Sequence, residues 1–133
     1  MEEQTKQVVD ELFNLIKNGA SPSEISELFS EEVDFFIAGD VSRVSWIGRK
    51  SGKSGVASFY EGINALVDSL AFEIEERLIK KQRAVVLGHL VSSVKQTEKQ
   101  IETEFAFDLI VKHHKIVRFR MFEDSFAVSE AVQ

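Results

Sequence analysis

Val117, Phe119, Met121 and Glu123 alternate with Arg118, Arg120 and Phe122, and Asp124 follows directly. In an extended segment alternate residues share a face, so Glu123 places a carboxyl at the end of an otherwise apolar row. A carboxyl among apolar walls resists ionisation, and one that keeps its proton near neutrality can act as a general acid or base. Glu123 is therefore a candidate catalytic residue, and Asp124 is the carboxyl beside it. The alternative for Glu123 is a solvated strand end. Asp124 falls on the other face with Arg118 and Arg120, where the alternative is a structural ion pair.

A second stretch, GRKSGKSG from Gly48 to Gly55, has the ending of a phosphate-binding loop and precedes a helix-like run. That loop needs four residues between its first Gly and the Gly-Lys-Ser, and here Gly48 and Gly52 are separated by three, Arg49, Lys50 and Ser51. It also joins a parallel strand to its helix, whereas the strands downstream read as antiparallel. The stretch is a basic loop leading to a helix that Ser54 caps. What survives is a weaker role: Arg49, Lys50 and Lys53 beside a helix start could hold an anionic group.

The remaining polar candidates each have a plain alternative. His89 lies among Val85, Leu87 and Val91 and reads as a packed or interface histidine in preference to a proton shuttle. Glu76 falls on the Phe72 and Leu78 row, at a pocket mouth or a solvated edge. Asp34 and Asp40 flank a strand, and Asp40 suits the turn after Gly39. His113-His114 suggests a metal pair, but adjacent turn residues point apart, so no metal site is expected.

These residues need elements to place them. Val8, Val9, Leu12, Phe13 and Ile16 recur at helical spacing, so a helix runs from about residue 4 to 18, with Gly19 as its stop. Ser21-Pro22-Ser23-Glu24 is a capping box with Pro at the first helical position, and a short helix with Ile25, Leu28 and Phe29 inward follows. Val33 to Gly39 reads as a strand, and Asp40 to Lys53 as irregular. A third helix carries Val56, Phe59, Tyr60, Ile63, Leu66, Val67 and Leu70. Four alternating segments then follow, around Phe72–Leu78, Arg83–Val94, Ile101–Lys112 and Lys115–Asp124, joined by short turns and so paired antiparallel. Helices first and a meander second give an α+β fold, with helices packed on one face of a curved antiparallel sheet.

Composition sets the remaining bounds. The chain has 133 residues, enough for one domain with its own core. Eleven Phe against one Trp and one Tyr imply a core or pocket of plain aromatic rings. A net charge of −6 argues against nucleic acid and anionic membrane surfaces. There is no Cys, which excludes disulfides and thiolate chemistry and suits a reducing cytoplasm. MEEQTKQ is acidic and lacks an apolar run, so no signal peptide is expected, nor any bilayer-spanning segment. Arg83–Val94 is apolar on both faces: Val85, Leu87 and Val91 on one, Val86 and Leu90 on the other. One face can cover the helices; the other predicts a homodimer through the outer sheet face.

AGDVSRVSWIGRKSGKSGVASFYEGINAL and EFAFDLIVKHHKIVRFRMFEDSFAVSEA together resemble the SnoaL-like group of the nuclear transport factor two-like superfamily. The first has a Gly-Asp pair, a Trp, a Gly-containing basic loop and a Phe-rich helix. The second has a strand, a tight turn and a last strand ending in aromatic-x-Asp, and Asp124 resembles the family's terminal Asp, which makes it the second candidate catalytic residue. The resemblance spans about residues 5 to 130. Its relatives include ketosteroid isomerases, limonene epoxide hydrolases and polyketide cyclases. It implies a cone, a bent sheet wrapped around the N-terminal helices, with a pocket at the open end. Trp46 resembles the family's pocket-wall Trp; the alternative is a core Trp. The expected walls are Trp46, Phe105, Phe107, Phe119 and Met121, with Tyr60 and Glu123 as polar groups.

The chain departs from the family's chemistry. Members that carry an Arg, His or Asp for catalysis place it near Phe105 and Phe107. The hydrolases have an Asp about where Met121 stands, and the isomerases a base where this chain has Phe36-Ile37. The reading is thus a domain that binds a hydrophobic small molecule without a cofactor. The alternative is a ketosteroid isomerase- or polyketide cyclase-like enzyme that moves a proton next to a carbonyl.

Overall fold

The computed structural model describes residues 1–133. Its elements run α1 (Glu2–Lys17), α2 (Pro22–Ser26), β1 (Phe29–Ile37), β2 (Gly48–Ser51), α3 (Gly52–Leu66), β3 (Val67–Lys80), β4 (Arg83–Val94), β5 (Gln100–Lys112), β6 (Lys115–Glu123) and α4 (Ser125–Ala131). The strands form one open, curved sheet in the order β2-β1-β6-β5-β4-β3. The fold is α+β, as expected. All neighbours are antiparallel except β1 and β6, which are parallel. β1 is not part of the meander; helix and loop carry the chain from it to the far edge, so β6 returns beside it in the same direction.

Local signals act where the sequence puts them. The Ser21 hydroxyl accepts the Glu24 N–H while the Glu24 carboxylate accepts the Ser21 N–H, and Pro22 occupies the first turn. Gly19 takes the left-handed conformation after α1, at φ 71°. His113 and His114 both have positive φ, 53° and 62°, and close a two-residue hairpin between Lys112 and Lys115, the geometry that suits tightly twisted strands. The Asp40 carboxylate accepts hydrogen bonds from the Ser42 N–H and hydroxyl, so this residue organises its turn.

Five expectations need correction. GRKS is a strand, β2, on the sheet edge beside β1, so Asp40 to Lys53 is not irregular throughout. The next helix starts at Gly52, with Ser51 rather than Ser54 at the cap and no side-chain cap bond. It ends at Leu66; Val67 is already extended, and Leu70 lies on β3, 54% exposed. β1 begins at Phe29, four residues before Val33. In β3 the pairing shifts between Ile74 and Glu76, so Phe72 lies opposite Leu90 while Leu78 lies opposite Val85. Leu90 and Val85 are on opposite faces, and so Phe72 and Leu78 are too. A bulge inserts one unpaired residue and exchanges the faces beyond it.

One buried cluster joins helices and sheet. α1 contributes Val8, Val9, Leu12 and Phe13, and α3 contributes Val56, Phe59 and Tyr60. Opposite them lie Val86 and Leu90 of β4, Phe105, Phe107, Leu109 and Val111 of β5, and Ile116 and Phe119 of β6. Ile116 takes the place expected of Val117 because the β5–β6 register shifts between Ile110 and Val111. The turns at Lys81 and His114 gather at the start of α1: the Thr5 hydroxyl donates to the Lys81 carbonyl, and the Gln4 side-chain carbonyl accepts the His114 N–H. The opposite end of the sheet, where β6 finishes, carries α4. No helix is long and apolar enough to cross a membrane.

Candidate site at the end of the last strand

Glu123 is the last residue of β6 and lies opposite Phe105. Directly opposed residues of an antiparallel pair share a face, and Phe105 is buried on the core face. Glu123 therefore belongs to the Phe119 and Met121 row, on the inner side. Phe105 in turn lies opposite Gly88, and Gly88 opposite Ile74. A Cβ added at Gly88 would stand 2.4 Å from Phe105 Cζ and 2.1 Å from the Glu73 carbonyl oxygen. The glycine thus leaves the space that the ring fills. Phe72 stacks on Phe105 at 4.9 Å and 14°.

Glu123 is half-buried beside Phe105, and no hydrogen bond or cation offsets the loss of water around its carboxyl. Burial pushes its carboxyl from 4.5 up to about 7, and the neighbouring Asp124 carboxylate adds to the rise. Asp124 itself is the N-cap of α4, its carboxylate accepting the Ala127 N–H at 3.0 Å. The expected ion pairs with Arg118 and Arg120 do not form. Arg118 and Arg83 both meet Asp108, and Arg120 and Arg49 both meet Asp34, on the outer face. These guanidiniums hold both carboxyls below the usual carboxylate range.

The expected pocket residues are on the inner side but touch one another. Phe119 stacks on Phe35 at 4.3 Å, Phe107 meets Phe119 at 5.5 Å, and Phe105 meets Phe107 at 5.1 Å. Phe13 of α1 closes on Phe107 at 5.4 Å and on Phe72 at 6.0 Å. Trp46 is buried in the β1–β2 loop, its Cβ 3.6 Å from where a Gly62 Cβ would stand on α3. Met121 is half-buried. Tyr60 is buried, burial pushes its hydroxyl pKa up, and it pairs edge-on with Phe59 at 4.9 Å. Phe72 is the exposed end of this series of rings, at 38%.

An open cleft of about 490 Å³ is lined by Glu75, Glu76, Leu87, Gly88, Glu104, Phe105, Ala106, Phe122 and Glu123. Glu76, Leu87, Ala106 and Phe122 lie opposite one another in a row across the outer face. Of the expected pocket residues only Phe105 and Glu123 border it. Glu76 thus sits on the outer face, not on the Phe72 row. His89 is also on the outer face, 3.3 Å from the Glu102 carboxylate.

Two of the three basic side chains of the loop, Arg49 and Lys53, have their charges taken up. Arg49 pairs with Asp34 at 2.7 Å, and Lys53 with Glu27 and Glu31 at 3.3 and 3.5 Å. Arg49 and Arg120 also lie over the Phe36 ring, so Phe36 faces outward while Ile37 is buried.

No family model matches the chain, and no curated protein does. Solved structures do. A protein from Burkholderia xenovorans described as NTF2-like superposes with a TM-score of 0.89 at 20% identity, over 100% of this chain and 98% of that one. This chain has the NTF2-like fold. TerC, co-crystallised with polyporic acid, gives 0.82 at 15% identity, covering 97% of this chain and 98% of its own. A candidate SnoaL-like polyketide cyclase from Mesorhizobium loti gives 0.70 at 13% identity, over 88% of this chain and 97% of that one.

Within this NTF2-like sheet, Glu123 shares a face with Phe119 and Met121, as alternation has it, because β6 is regular from Arg118 to Glu123. Alternation passed over Thr103. Thr103 is buried in the Ile101, Phe105 and Phe107 row, but a threonine is ordinary in a strand. Only its hydrogen bonds mark it out.

Proposed function

We propose that this chain binds a hydrophobic small molecule at the α4 end of its sheet. The apolar contacts would come from Trp46, Phe105, Phe107, Phe119 and Met121, with Phe72 as the ring a ligand meets first. Tyr60 and Glu123 are the polar groups, and Asp124 acts through its charge on Glu123. The observation that carries this reading is Glu123: an inward carboxyl with a pKa of about 7 and no partner. A carboxyl in that state can donate to a ligand carbonyl when protonated or accept from a ligand hydroxyl when ionised. The neighbour crystallised with polyporic acid supports a small organic ligand for this fold.

The same carboxyl favours a second reading, an enzyme. A base poised near neutrality is one of the components needed to move a proton next to a carbonyl, as in isomerases and cyclases. We further propose a homodimer through the outer face, where Val85, Leu87 and Val91 are half-buried in the single chain.

The probe is 2-naphthol, followed by its fluorescence. Saturable binding that weakens in Phe72→Ala is expected; no saturable binding to the native chain overturns the binding reading. For the enzyme, a β,γ-unsaturated ketone in deuterated buffer should exchange its α-protons with the native chain and not with Glu123→Gln. Equal exchange in the two would remove Glu123 as a base.

A further inference from the structure

The β5–β6 ladder stops at Glu123, and the way it stops is specific. Phe105 and Glu123 are its last paired residues, so the next pair in register would be Glu104 and Asp124. Their backbone groups do not meet directly. The Asp124 N–H donates to Thr103 Oγ1 at 3.0 Å, and Thr103 Oγ1 donates to the Glu104 carbonyl at 2.7 Å. One hydroxyl thus stands between the two backbone groups that would otherwise form the next rung. It satisfies both, and it is held there by a side chain that is itself only 8% exposed.

We infer that Thr103 is a positioning residue for Glu123: its hydroxyl ends the ladder one residue after Glu123 and so holds that carboxyl on the inner face beside Phe105. The inference rests on the reading of Glu123 as the working group of the site. Without the hydroxyl, two outcomes are open to the backbone. The strands can close one more rung, which draws Asp124 into the sheet and removes the cap of α4. Otherwise, the Asp124 N–H and Glu104 carbonyl stay unpaired and the strand end loosens. Either way Glu123 gains water. No cation nearby would hold it in place: Asp124 adjoins it, and Glu75, Glu76 and Glu104 border the same cleft.

The test compares Thr103→Ser and Thr103→Val by NMR titration of the Glu123 side-chain carboxyl. Ser keeps the hydroxyl and should keep the native midpoint. Val keeps the shape and should lower the midpoint by about one pH unit, the direction expected when a desolvated carboxyl regains water. A folded Val variant with the native midpoint overturns the inference, and so does a Ser variant that titrates like Val. Should Val fail to fold, hydrogen exchange of the native chain decides. The Asp124 amide should exchange as slowly as the amides of central β5, and fast exchange there overturns the inference. None of these readouts uses a ligand. Failure of 2-naphthol to bind would therefore sink the binding reading alone.

Discussion

Replacing Glu123 by Gln keeps the side chain's shape and removes its titration. In the folded chain this carboxyl titrates at about 7, against 4.5 when free. The folded state therefore holds the proton more tightly than the unfolded state. Below pH 4.5 both states are protonated and burial of the neutral acid costs little. As pH rises through this window the unfolded chain loses its proton first, and stability falls until about pH 7, beyond which the loss is constant. A gap of about 2.5 pH units at about 1.4 kcal/mol each gives roughly 3 to 4 kcal/mol, and water reaching a half-buried carboxyl reduces this to about 2 kcal/mol. The Gln variant should match the native chain near pH 4 and exceed it by about 2 kcal/mol near pH 8. For a chain of this size that is about 8 °C in Tm. Asp34 and Asp108, held down by their arginines, act at lower pH in the opposite direction and cancel in the difference. Urea unfolding of both proteins across this range is the assay. A constant offset between the two stability curves would refute the reasoning, because it would mean that Glu123 titrates alike in the folded and unfolded chains.

The outer face predicts a dimer mass by light scattering at micromolar concentration, and a monomer for Leu87→Arg; a native monomer would sink the dimer. The basic loop predicts no magnesium-dependent ATP or GTP binding, since Lys53 is held by Glu27 and Glu31; a calorimetric isotherm abolished by Lys53→Ala would show the loop misread. Gly88→Ala should destabilise by about 2 kcal/mol or more through overpacking, because its methyl would meet the Glu73 carbonyl oxygen at 2.1 Å and the Phe105 ring at 2.4 Å. A native-like Tm for that variant would mean that the ring does not lie across Gly88.

Period-two alternation carried the sheet as far as the strands were regular. It gave the core face of β5 correctly from Phe105 to Val111, and both faces of β4, because neither strand is interrupted there. It failed in β3, where bulges move Glu76 and Leu78 to the outer face, and at Val117, where a register shift puts Ile116 inside. A bulge of ordinary residues carries no compositional mark. The end of α3 was missed for a related reason. Ile63, Leu66, Val67 and Leu70 continue the helical spacing into an extended strand, and neither Gly nor Pro intervenes. Here the long pairing of β3 with β4 decides, and it is not local.

The site was legible in type but not in setting. Counting phenylalanines predicts aromatic packing, yet the same rings can line a cavity or fill one. Phe35 and Phe119 at 4.3 Å and Phe105 and Phe72 at 4.9 Å are in mutual contact, so the rings fill the inner side and only Phe72, at the end of the series, is exposed. Glu123 stands near that end because two regular patterns stop there together. The β5–β6 ladder closes its last pair at Phe105 and Glu123, and α4 begins one residue later from an Asp124 cap. A carboxyl inside the ladder would be sealed among rings, and one on α4 would be free to meet water. At the junction it is desolvated enough to hold a proton near neutrality and close enough to the edge to exchange it.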